Sequence, residues 1–403
     1  MPAPFIQNGY ERTVRVGPQT PWKDLSPDKQ VTCMVAGDNN THNANAQDSV
    51  TVGATGVFNA CAQLQQVTAA MVPVIQIGNS TAQNAPRIAA VANADGMVGL
   101  FNSVASRVGG ALANTADAQL FATAYKGFKT LNAMAGRPTA ADSYATGEGS
   151  AGFLGRNLAA LLTPSAADLA RYGLTAGTPT AMTNMAKALC TTAKAFAAGL
   201  SHMVTIPGIG DDPHGGWNDE VNLVAKVETM RRSLDAFPAD LMAAADPTSV
   251  GKKLWDKTVI TISGDTPMAT RKRNGWPDGS DANTNHVFVY SGGRLRSGWA
   301  GMLNRNGSFT RWNPVTGEND PNGPPLLCCT ATPLTHVSWQ AVAAWFHLVA
   351  ADLRAYPGSQ PQACDGDLGA MGEKQHSLSR YRTVEGHRGS GSIEVQNARA
   401  VRR

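Results

Sequence analysis

The sequence predicts an α/β fold in which helices cover both faces of a mostly parallel central sheet. Three observations predict it. Short apolar runs rich in Val and Ile recur along a chain of 403 residues. They are short and bounded, as in strands of a sheet covered by helices on both faces. Segments of helical periodicity lie between them. A chain of this length buries a large core without a metal or disulfide staple, and its 41 Gly and 23 Pro supply the turns.

In chain order, residues 1–28 are polar and punctuated by Pro and Gly, which predicts an extended N-terminal arm. Strands are predicted at 30–36 (QVTCMVA), 72–77 (VPVIQI), 203–206 (MVTI), 258–263 (TVITIS) and 286–290 (HVFVY). Helices are predicted at 153–163, 180–200 and 337–353. The strongest helical pattern is 219–236, where Val221, Val224, Val227, Met230 and Leu234 recur every three or four residues behind the caps Asn218 and Asp219. No internal repeat is found. A single α/β domain over 29–370 is therefore expected, between the arm 1–28 and a basic C-terminal tail 371–403.

Charge excludes some functions. The formal net charge is +4 and only 16% of residues are charged, against roughly 25% in an average soluble chain. Residues 371–403 hold seven Lys/Arg and three Asp/Glu, which accounts for the whole +4, so the body is neutral. A neutral body lacks the concentrated basic face that tracks phosphates, which argues against a nucleic-acid groove and for protein–protein contacts. No run approaches the ~18 continuous apolar residues of a membrane span. The N-terminus has no apolar signal region, so the chain as written is expected in the cytoplasm, or exported if a leader has been removed. The six cysteines, at 33, 61, 190, 328, 329 and 364, show no zinc-site spacing.

GEGSAG at 147–152 matches a dinucleotide-binding pattern, but no strand precedes it. Serine-hydrolase elbow, phosphate-loop and zinc-protease motifs are absent. Three Asx-rich loops remain, at 36–48, 208–220 and 263–286, each following a predicted strand, where an open α/β sheet binds ligands. They supply the candidate metal ligands Asp38, Asp212, Glu220, Asp281 and His286, with Thr41 as a candidate nucleophile beside them. Asx-rich loops also cap helices and close turns with no ligand at all.

At these loops the chain resembles the sulfatase-like proteins of domain-of-unknown-function family 1501, in the alkaline-phosphatase superfamily. The resemblance spans most of residues 30–358. It is carried by AGFLGRNLAALL (151–162), HGGWNDEVN (214–222), the Phe-x-x-Asp-Leu of Phe237 to Leu241, WDKTVITISGDTPMATRKRNG (255–275), GSDANTNHVFVYSGG (279–293) and WFHLVAADLRAYPG (345–358). It implies an alkaline-phosphatase/sulfatase-like fold. The departures fall on the chemistry. Where the family pattern has Asp and His after Gly-Gly-Trp, this chain has Asn218 and Glu220; where it has Glu after the strand, this chain has Ile262; where it has His after Gly-Thr-Asp, this chain has Ala282. Asp281 and Asp38 persist.

Backbone motifs kept while ligands are lost imply a non-catalytic structural or binding protein on a degenerate sulfatase-like scaffold. It would act in a homo-oligomeric or larger assembly, self-associating through its terminal arms, with no cofactor predicted. The alternative is a divergent metal-dependent phosphate- or sulfate-ester hydrolase. Zn, Mn or Ca would then sit on Asp38, Asp212, Glu220, Asp281 and His286, with Thr41 attacking.

Overall fold

The structure is a computed structural model that describes residues 4–6, 13–15, 29–38, 51–52, 55–56, 62, 70–78, 88–102, 114–134, 147, 153, 156–208, 220–246, 250–263, 284–292, 298–300, 302–303, 309–310 and 392–397. The elements are β1 (Pro4–Ile6), β2 (Thr13–Arg15), β3 (Gln30–Asp38), β4 (Thr51–Val52), β5 (Thr55–Gly56), β6 (Val74–Ile77) and β7 (Ile88–Val91). Helices α1 (Ala94–Leu100), α2 (Thr115–Met134), α3 (Leu158–Leu162), α4 (Ala166–Arg171) and α5 (Thr180–Ala197) follow. Then come β8 (Met203–Pro207), α6 (Glu220–Ala243), a short 3-10 turn (Leu254–Lys257), β9 (Thr258–Ser263) and β10 (Thr284–Ser291). The last are β11 (Gly298–Ala300), β12 (Met302–Leu303), β13 (Phe309–Thr310) and β14 (Ser392–Asn397).

Eight strands form one sheet in the order β11-β3-β10-β9-β14-β8-β6-β7. β8, β6 and β7 pair in parallel, as do β11 and β3. β10 and β14 run antiparallel to both of their neighbours. The molecule is α/β as expected, but the sheet is mixed. β14 comes from the segment read as a basic tail, and it pairs with β8 on one side and β9 on the other. In the segment read as an N-terminal arm, β1 and β2 pair antiparallel.

The strands bury both faces. Cross-strand partners share a face, so Ile75, Val204, Ile260 and Tyr290 lie together and join the main core. That core is completed by Met182, Leu189 and Phe196 of α5 and by Leu234, Phe237 and Leu241 of α6. The opposite face carries Val74 and Met203, which form a separate cluster with Ala62 and Ile88. Among the described residues, the helices α1, α3, α5 and α6 contribute to the one main core. Among the described residues, both faces of the sheet thus carry buried apolar side chains.

Two helices depart from their predicted limits for local reasons. Asn157 accepts the Ala160 N–H (2.9 Å) and starts α3 there, so the helix expected at 153–163 is a single five-residue piece. α6 runs on through Pro238, seven residues past its predicted end. Proline removes the N–H that would bond the Leu234 carbonyl, and that carbonyl accepts the Tyr290 hydroxyl of β10 instead (3.2 Å). The helix expected at 337–353 lies outside the described residues.

Candidate functional site

Strand direction gathers the loop ends. β3, β8 and β9 run the same way, so Asp38, Pro207 and Ser263 end at one edge of the sheet, and β10 starts there with Thr284 opposite Asp38. All three Asx-rich loops therefore leave from this edge, as an open α/β sheet requires of a ligand site. His286 stands two residues into β10, opposite Val35, just past an irregularity in register between Asn285 and His286. Such bulges cluster at functional edges because they re-aim the chain. Asp38 and His286 thus belong to adjacent strands at the same end of the sheet.

Glu220 is the first residue of α6, after the loop that leaves β8. β8 is three strands from β10, roughly 14 Å at ordinary strand spacing. The register sets Asp38 opposite Thr284, two residues before His286; bringing Glu220 to this end of β10 requires the loop 208–219 to span that gap. Thr41, Asp212 and Asp281 lie outside the described residues, as do Asn218 and Ala282. Ile262 is described. It is the penultimate residue of β9, opposite Phe288, and packs half-buried against the main core. The position that the resemblance gives to a glutamate is a packing position in this chain. Among the described residues, no three His, Cys, Asp or Glu stand close enough to hold a metal.

The perturbed ionisable groups stand elsewhere, where α4, α5 and α6 meet. Asp240 of α6 accepts Arg171 through both guanidinium nitrogens and the buried Tyr172 hydroxyl at 2.8 Å. Burial pushes the Tyr172 hydroxyl well up, with Asp240 adding to it. Asp168 is held well below the usual carboxylate range, chiefly by the Ser165 backbone N–H; burial opposes this, and Lys194 (3.1 Å) adds to the lowering. The Cys190 thiol is pushed up to about 12 by burial. Every charge in this group has a partner of opposite sign, and the arrangement ties three helices together. Sequence reasoning did not single it out, although Asp240 is the Asp of the quoted Phe-x-x-Asp-Leu segment.

Comparison with family models, curated proteins and solved structures finds no match. Among the described residues, no helix is long and apolar enough to cross a membrane.

Proposed function

We propose that this chain is a non-catalytic protein that works through its surface in a homo-oligomeric or larger assembly, on a degenerate sulfatase-like scaffold. The observation that carries the proposal is Ile262, an aliphatic side chain packed half-buried against the core at the end of β9, where a metal hydrolase of this outline would offer a carboxylate. The neutral, charge-poor body supports the same reading. The test combines elemental analysis of the purified chain with assays of aryl phosphate and aryl sulfate hydrolysis under added Zn, Mn or Ca. The expected result is no stoichiometric metal and no turnover. Bound metal together with turnover abolished by Asp38→Ala would overturn the proposal.

A second reading is favoured by one observation, the placement of Asp38 and His286 at the same end of neighbouring strands. Under it the chain is a divergent phosphate- or sulfate-ester hydrolase. Asp38, Asp281 and His286 would hold a divalent ion, Asp212 and Glu220 would reach in from the β8 side, and Thr41 or a metal-activated water would attack.

A further inference from the structure

α2 is oriented unlike an ordinary surface helix. Its half-buried residues Ala118, Tyr125, Lys129 and Asn132 share one side, which is therefore the side toward the rest of the molecule. About 150° around the helix, Leu120, Ala124, Gly127, Leu131 and Met134 recur at alternating steps of four and three residues. Leu120 is 71% exposed, Leu131 67% and Met134 80%, with Phe121 exposed alongside. Surface helices normally turn the apolar stripe inward, and a four–three repeat is the seam of a helix pair. The polar flank makes its own bonds: the Thr123 and Thr130 hydroxyls donate to the Gln119 and Lys126 carbonyls of the same helix.

We propose that two copies of this chain associate by antiparallel pairing of α2. This rests on the assembly reading above and names the surface that serves it. Ala124 and Gly127 form a small-residue centre, and beyond the backbone of its own helix nothing lies within 4 Å of where a Cβ on Gly127 would stand, so a second backbone can approach closely. Placing the two-fold axis between residues 125 and 126 sets Ala124 against the second copy's Gly127 and Leu120 against its Leu131. The exposed seam and its flanking ring offer roughly 600 Å² per copy, so a pair buries about 1,200 Å², the lower end for specific interfaces. The antiparallel sense opposes the helix dipoles. With that axis Asp117 stands opposite the second copy's Met134, and Lys126 and Lys129 lie outside the seam.

Light scattering on the full chain at micromolar concentration tests this. The expected result is a dimer, weakened more than about tenfold by Leu120→Glu or Leu131→Glu, with circular dichroism unchanged because both positions are exposed. Mixing Leu120→Glu chains with Leu131→Lys chains is expected to restore the dimer, since the two positions face each other. A dimer indifferent to both substitutions overturns the helix pairing and leaves the assembly reading standing. A monomeric wild-type chain overturns the pairing and self-association together, while metal content and turnover decide the non-catalytic reading separately.

Discussion

At the scale of single residues, several polar atoms in the core complete backbone and charge partnerships. Tyr290 illustrates this, because its hydroxyl serves the Leu234 carbonyl that Pro238 leaves without its usual helical donor. Tyr290→Phe is expected to cost about 1–2 kcal/mol in urea unfolding, and less in a Pro238→Ala background, where residue 238 regains an N–H. A double-mutant cycle that gives no coupling would refute the link. The acid limb of stability follows from two carboxylates. Glu228 is drawn down to about 2 by Arg231 and then Arg232, and Asp168 is lowered by Ser165 and Lys194. Both folded values lie below the ordinary values of 4.5 and 3.8. Their stabilisation is therefore complete above those values and lost as pH falls through them toward the folded ones. Thermal midpoints should fall between about pH 5 and pH 2, and more shallowly in Asp168→Asn. The Asp240–Arg171 partnership was not legible in the sequence, because the two residues lie 69 positions apart and meet only through packing, whereas Glu228 with Arg231 and Arg232, and Asp168 with Ser165, are local pairs three or four residues apart.

Among elements, those with a strong period and length were legible. β9 falls at its predicted limits, and β3, β6, β8, β10 and α5 lie within a few residues of theirs. β7 has only four residues, two of them Ala, and α1 carries two Gly in seven, so neither has a pattern above its surroundings. The joint after α4 shows what holds neighbouring elements in place. Gly173 has φ +87° and closes the helix, its N–H bonding the Ala170 carbonyl while the Leu174 N–H bonds that of Leu169. A Cβ there would stand 2.9 Å from the Arg232 side chain of α6. Gly173→Ala combines left-handed strain with a clash and is expected to destabilise by about 1–3 kcal/mol. Gly177, with nothing within 4 Å of its Cβ position, is the control, and Gly177→Ala is expected to leave the unfolding midpoint nearly unchanged. Equal effects at the two positions would refute the argument.

At the scale of the whole molecule, charge composition separated a basic end from a neutral body but said nothing about where that end goes. SIEVQN carries only two apolar residues, too few to signal an interior strand, and its pairing is settled by β8 and β9, which come from distant parts of the chain. The candidate site is legible to the same partial degree. Strand-end loops follow from strand direction, whereas the strand order that sets β8 three places from β10 does not follow from local pattern. The placement of β14 changes what a truncation reports. If residues 371–403 were only a docking extension, deleting them would dissociate an assembly and leave each subunit folded. With Ser392–Asn397 bonded on both sides, deletion removes an interior strand and opens the β8 and β9 edges to water or to other chains. The expected outcome of truncation after residue 370 is loss of the cooperative urea transition and aggregation. A chain ending at residue 397 keeps the strand and should unfold as the full chain does. A cooperative transition in the shorter variant would show that the remaining strands close the sheet by themselves.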